Sequence, residues 1–259
     1  MIAQVNTPRQ RQRFLNACRG KLCCGATLPL ALQLLGKTQP GRFFAGPTLA
    51  LDIGGRTAWA AGHANPEELA SFLNFCGCRA VILDEAECPP PVGWQKTCDH
   101  TIFGLAAGEQ LPLPAQTEEQ KALWDSLTFV EDPASGPVAE NLFPDRPARR
   151  DDFYSELCTK RSRGKALVWT LEQGGNIVCT VGAYALCNGQ AYMACGQTAE
   201  ALRGRRVGGR LIVQMANALS AQGNQPVFLC SPERVHFYTQ LGFHPLGTLA
   251  RYESPIGKD

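Results

Sequence analysis

The sequence has no run of 18 apolar residues, so no segment reads as a membrane span. Arg9, Arg11 and Arg13 are followed by no long apolar stretch, and the start of the chain therefore does not read as a secretory signal. Charge takes neither side: 25 Lys plus Arg against 23 Asp plus Glu leave +2, which implies no nucleic-acid partner. There is no C-x-x-C pair, the usual spacing of structural zinc. Neither G-x-x-x-x-G-K-[ST] nor G-x-G-x-x-G occurs, so the common nucleotide loops are missing too. These absences predict a soluble, cytoplasmic chain with no metal, no membrane contact and no nucleic-acid partner.

What is present fits a globular protein. Of the 259 residues, 44% are apolar and 19% charged, enough to bury a core as one large domain or two small ones. Twelve cysteines, without a secretory signal, read as reduced thiols. Cys179, inside Ile177–Val181, and Cys195 read as small apolar fillers. The nearest metal candidate, Cys76, Cys78, Cys88, Cys98 and His100, has irregular ligand loops, and no metal is assigned.

Three stretches follow one another. Up to Gly108, Thr48–Gly62 predicts a hairpin turning at Gly54-Gly55. Asn65 predicts a helix N-cap with Pro66 at its first position, and Arg79–Leu83 predicts a buried strand. From Glu109 to Arg150, six prolines predict connecting structure, broken by one helix at the capping box Thr117–Gln120. From Arg150 onward the pattern is regular. Helix is expected at Asp151–Arg161, with Phe153, Tyr154 and Leu157 inward, and strands at Ala166–Leu171, Asn176–Ala185 and Ala191–Thr198. A long helix at Gly204–Ala221 buries Val207, Leu211, Met215, Ala218 and Leu219. A strand at Pro226–Cys230, a helix capped by Ser231 and ended by Gly242, and a strand at His244–Tyr252 complete the stretch. The boundary falls near residue 115, dividing a smaller α/β module, 1–115, from a larger domain, 116–259. Leu51-x-x-Gly54-Gly55 and Leu171-x-x-Gly174-Gly175, each followed by a glycine seven residues on, are either shared turn chemistry or the trace of a duplicated module.

The chemistry concentrates at Arg203-Gly204-Arg205-Arg206-Val207-Gly208-Gly209-Arg210, after a strand and opening a helix. Four arginines with no acid oppose the positive end of a helix dipole, an arrangement that makes sense around a bound anion. Gly208 and Gly209 would let phosphate oxygens approach the backbone, and guanidiniums would hold a diphosphate from the sides. The other reading is a solvated basic helix start.

This strand–loop–helix resembles the acyl-CoA pyrophosphate loop of the GNAT N-acetyltransferases, Gln/Arg-x-x-Gly-x-Gly/Ala. Arg203 matches its first position and Gly208 its last, while Arg206 stands where the first glycine usually is. Downstream, Val227–Cys230 and Tyr238-Thr239-Gln240-Leu241-Gly242-Phe243 are similar to the family's next strand and its Tyr-x-x-Leu-Gly-Phe helix end. The resemblance covers residues 140–259 and implies an α/β (α+β) fold whose central sheet is mixed, mostly antiparallel and flanked by helices. The N-terminal module would then be a degenerate copy without a phosphate loop.

The resemblance also implies roles. Thr198 and Ala199 would offer backbone groups to the pantetheine arm of acetyl-CoA, the cosubstrate. Arg203, Arg205, Arg206, Val207, Gly208 and Gly209 would cradle the pyrophosphate. Ser231 would stand in partly for a family Asn, and Tyr238 would protonate the departing thiolate; its other reading is a core aromatic beside Phe237. Glu156, Glu172 and Glu200 read as solvated acids, His236 as pointing to a different helix face from Tyr238 and His244 as structural, so no general base is assigned. The implied function is acetyl transfer to a primary amine of a small molecule or peptide. A non-catalytic acyl-CoA sensor is the alternative, and a homodimer is left open.

Overall fold

The computed structural model describes residues 1–255, and Cys195 by its backbone alone. The reading of Cys195 as an apolar filler thus lies outside the described side chains. Two compact units emerge, and they do not follow the chain linearly. One comprises Met1–Phe103, Leu229–His236 and the stretch from Pro245 onward; the other comprises Gly104–Phe228 and Phe237–His244.

The first unit begins with strand β1 (Ala3–Gln4), helices α1 (Pro8–Cys18) and α2 (Cys24–Leu35), and strands β2 (Phe43–Ala45), β3 (Thr48–Gly54) and β4 (Thr57–His63). Helix α3 (Pro66–Phe75), β5 (Ala80–Leu83) and β6 (Gln95–Gly104) follow. Neither α1 nor α2 shows a clear period in the sequence, for opposite reasons. Helix α2 is apolar on nearly every side because it is buried on nearly every side. Helix α1 is mostly polar and is announced instead by its cap, where Thr7 and Gln10 bond reciprocally as a capping box. The predicted hairpin forms, but Gly54 pairs with Thr57, so Gly55-Arg56 make the turn, with Gly55 at φ +62°. Asn65 caps α3 as expected, its Oδ1 accepting from Glu67 and Glu68 N–H at 3.0 Å each.

The second unit holds α4 (Glu118–Asp125), β7 (Thr128–Val130), α5 (Ser135–Leu142), α6 (Pro147–Arg161), β8 (Leu167–Gln173), β9 (Asn176–Cys187) and β10 (Gln190–Thr198). It continues through α7 (Val207–Ala221) and β11 (Gln225–Cys230); α8 (Val235–Gln240) and β12 (His244–Glu253) follow and end the described regular structure, β12 lying mostly in the first unit. The proline-rich stretch is more ordered than its composition predicts. Pro147 occupies the first turn of α6 and Pro137 that of α5, where a missing N–H costs no helix bond. Tyr154 is exposed, whereas Leu157 is buried and Phe153 packs at the edge of a core formed by Val138, Ala166, Val168 and Tyr184. The long helix starts at Val207, three residues later than expected, because Gly204 and Arg206 have φ of +74° and +62°. Ala218 is only half-buried on it.

The strand order in the first unit is β1-β2-β3-β4-β5-β12-β6, and in the second β7-β8-β9-β10-β11. Neighbours β1 through β4 pair antiparallel, as do β7 through β10, while β4–β5 and β10–β11 pair in parallel. Each unit therefore runs strand, two helices, three strands, helix, strand. This is a central, mostly antiparallel sheet flanked by helices, built twice. The glycine echo seen in the sequence is not that repeat: it equates the β3–β4 hairpin with β8–β9, which are offset by one strand. Shared turn chemistry explains it. Gly174-Gly175, with φ of +58° and +80°, are the two residues of the second turn. The last described strand, β12, pairs antiparallel with β5, Arg251 opposite Ile82, and so joins the first unit's sheet.

Described cysteines are free thiols, most of them buried. Cys78 and Cys88 belong to the apolar core of the first unit, where burial pushes each thiol up to about 11. Among the described residues, no three His, Cys, Asp or Glu side chains are placed to hold a metal ion. No described helix is long and apolar enough to cross a membrane.

Candidate active site

The site of the second unit begins where two parallel strands part. β10 and β11 pair only at Gln190–Gln225, Ala191–Pro226 and Tyr192–Val227. Beyond that, β10 runs to Thr198 and β11 to Cys230 without further pairing to one another. The cause is in the neighbouring ladder. Between Ala194 and Gln197 one extra residue enters β10 relative to β9, and such a bulge re-aims the strand.

The pairing of β10 with β9 decides which backbone groups face this gap. Ala199 donates its N–H to Val178 O, 2.8 Å away, and so belongs to the β9 side. By alternation, the main-chain groups of Thr198 face the edge that β11 has left. There the Thr198 carbonyl accepts from Arg203 Nε at 3.1 Å. The Thr198 main chain thus faces the gap, while the Ala199 N–H is spent within the sheet.

The loop from Arg203 to Arg206 delivers the chain to α7. Arg210 N–H is the first of the helix to bond back, to Arg206 O at 3.1 Å, so the amides of Val207, Gly208 and Gly209 come before any intrahelical partner. Arg203, Arg205 and Arg206 are exposed. No described ion pair includes them, although Arg206 Nη1 donates to Ala115 O at 3.0 Å. Arg210 turns away, its guanidinium 5.0 Å from the Trp124 ring centroid. The two helix glycines have a packing reason that the sequence did not reveal. A Cβ on Gly208 would meet Thr198 Oγ1 at 2.4 Å, and one on Gly209 would meet Leu241 at 3.0 Å. They let α7 settle against β10 and α8. Gly204 faces open space.

Tyr238 lies on α8, half-buried, with its ring centroid 4.5 Å from Phe228, 5.0 Å from Phe237 and 6.3 Å from Phe243. Phe228 directly follows Val227, the last residue of β11 paired with β10, so the tyrosine stands at the mouth of the gap. The aromatic neighbours could have been read from the sequence; their convergence on the strand divergence could not. Ser231 falls in the segment grouped with the first unit. It does not cap the following turn, because its hydroxyl donates to the Glu233 carboxylate instead, which holds that acid below its usual range. Of the acids considered as a base, Glu156 pairs with Lys160 at 2.8 Å, Glu172 sits opposite Thr128 on the β7 side, and Glu200 is exposed. His244 Nε2 lies 3.0 Å from Glu109 Oε1, a structural pair, and His236 is exposed.

The corresponding place in the first unit is built against anions. At the start of α3, Asn65 already takes the Glu67 and Glu68 amides, Pro66 has no N–H, and two carboxylates occupy the first turn.

No family model matches the chain, and no curated protein sequence matches it. Solved structures do. The fold is that of the GNAT N-acetyltransferases: the chain is similar to a GCN5-related N-acetyltransferase from Sphaerobacter thermophilus, with a TM-score of 0.62, 14% identity and coverage of 97% of this chain and 94% of that one. More particularly, it is similar over its whole length to a tandem GNAT protein from the clavulanic acid biosynthesis pathway, with a TM-score of 0.61, 13% identity and coverage of 100% and 99%. A GCN5-related N-acetyltransferase from Kribbella flavida matches with a TM-score of 0.56, 15% identity and coverage of 81% and 87%.

Proposed function

We propose that the second unit is an N-acetyltransferase that moves an acetyl group from acetyl-CoA to a primary amine. The observation carrying this reading is the parting of β10 and β11 beside a helix start whose first amides have no intrahelical partner and whose three exposed arginines belong to no described ion pair. These residues fit a diphosphate: Val207, Gly208 and Gly209 would donate main-chain N–H bonds, with Arg203, Arg205 and Arg206 around them. The Thr198 carbonyl, on exchanging Arg203 for an amide N–H, would hold a pantetheine arm.

The reaction joins the amine nitrogen to the acetyl carbonyl carbon and breaks the C–S bond. The amine proton passes to solvent or a base, and the sulfur takes a proton. Tyr238 is the donor we assign to the sulfur: a phenol, with an ordinary pKa near ~10, keeps its proton at neutral pH and yields it to a developing thiolate. The rival reading, a sensor that holds acyl-CoA without turnover, needs the same loop and not the phenol.

Thermal unfolding with and without acetyl-CoA tests the reading. Ligand at ~100 times Kd should add about 2.7 kcal/mol, and the shift should vanish in the Arg203→Ala/Arg206→Ala variant. No shift at millimolar acetyl-CoA would overturn it. A shift without turnover on any amine of a broad panel would leave the sensor.

A further inference from the structure

The first unit repeats the strand divergence of the second. β4 and β5 pair in parallel at Thr57–Ala80, Ala58–Val81 and Trp59–Ile82, and then β4 continues to His63, paired with β3 but no longer with β5. In this unit the gap is walled into a cavity of about 190 Å³. Ala60, Ala61 and Gly62 of β4 line one side, and Asp84, just after β5, lines another. Lys21 and Cys24, between and at the start of the two helices, and Leu246 of β12 also face it.

An acyl-CoA diphosphate has no anchor here, because Asn65, Pro66, Glu67 and Glu68 close the start of α3. The charges facing the cavity are Lys21, Asp84 and Glu87. Lys21 and Glu87 are ion-paired to one another. The Asp84 carboxylate accepts one described bond, from the Ala86 N–H at 3.0 Å to Oδ1, and no described cation is paired with it. The remaining wall is aliphatic, from Leu22, Ile102 and Leu249. A carboxylate with no described cation partner, in a small cavity whose wall is part polar and part aliphatic, is complementary to a compact organic cation. Pockets for drug-sized ligands start near ~300 Å³, so this one suits a ligand of only a few heavy atoms. The Cys24 thiol, pushed up to about 12 by burial and by Asp84, Glu87 and Asp52, stays neutral and adds no competing charge.

We propose that this cavity is a second ligand site, binding a small aliphatic ammonium through Asp84. It is separate from the acetyl-transfer site and does not depend on that assignment.

Titration calorimetry on the full chain with n-butylammonium chloride tests it, with sodium butyrate and n-butanol as controls. Saturable binding of n-butylammonium is expected, at one per chain and unmatched by either control. Asp84→Asn keeps the bond from Ala86 and should weaken binding at least tenfold. Leu246→Trp, at the exposed rim, should obstruct entry with a comparable loss. Arg203→Ala/Arg206→Ala, the variant that tests the acetyl-CoA loop, should leave binding unchanged. Circular dichroism and unfolding midpoints near wild type establish that the variants fold. No saturable binding at millimolar n-butylammonium, equal binding of butyrate, or affinity that survives both cavity substitutions would overturn the proposal.

Discussion

The ring of Tyr238 lies 4.5 Å from that of Phe228, the residue at which β11 has just left β10. The phenol is held at the strand divergence by aromatic packing, through Phe228, Phe237 and Phe243, so its position should survive removal of its hydroxyl. Tyr238→Phe is therefore expected to fold like wild type and to lower kcat about 100-fold, with KM for acetyl-CoA changed by less than about twofold. Steady-state kinetics on any accepted amine decide this; an unchanged kcat removes Tyr238 from the chemistry.

Gly208 meets Thr198 so closely that a methyl group does not fit, its Cβ falling 2.4 Å from Oγ1. Gly208→Ala should cost about 1–3 kcal/mol in chemical denaturation. Removing the obstructing hydroxyl with Thr198→Ala should recover part of that loss. The double variant is then more stable than the sum of the single effects, with a coupling of at least ~0.5 kcal/mol. Strict additivity would contradict the contact.

Asn65 satisfies two amides at the start of α3. Asn65→Ala should destabilise the protein by about 1 kcal/mol, and Asn65→Asp by much less, because aspartate accepts the same bonds. Equal losses in the two variants would show that the cap contributes nothing specific.

Glu109 is held below the usual carboxylate range, first by the Ala106 N–H and then by His244. A carboxylate whose pKa is depressed by folding stabilises the protein above its unfolded pKa, and that stabilisation fades as pH falls through the folded value. Glu109→Gln should thus be less stable than wild type at pH 6, by a few tenths of a kcal/mol for so exposed a pair, ~0.5 at most. The two should converge as pH drops below the usual carboxylate range. Urea midpoints across that range check it; a gap that widens in acid would refute the assignment.

The residue pattern by itself determined the features that depend on neighbours in sequence. Asn65-Pro66 marked a helix start because orphan amides need an acceptor within three residues. Arg203–Arg210 marked a helix start, and the expectation of an anion there came from four cations that conflict with the dipole unless something negative is bound. The hairpin turns were visible for the same local reason, although Gly55-Arg56 shifted one of them by a residue. The helices α1 and α2 were not visible, since one is buried all round and the other is mostly polar.

Tertiary structure decided what sheet pairing brings together. No local pattern sends β12 back to pair with β5, joining the first unit's sheet. None reveals that Gly208 is a glycine because Thr198 stands against it, or that Lys21 and Glu87, 66 residues apart, meet across a cavity beside Asp84. Ladder partners are fixed by long-range hydrogen bonds and by which apolar faces must be covered. Those pairings leave open the gaps at which the two proposed ligands would sit.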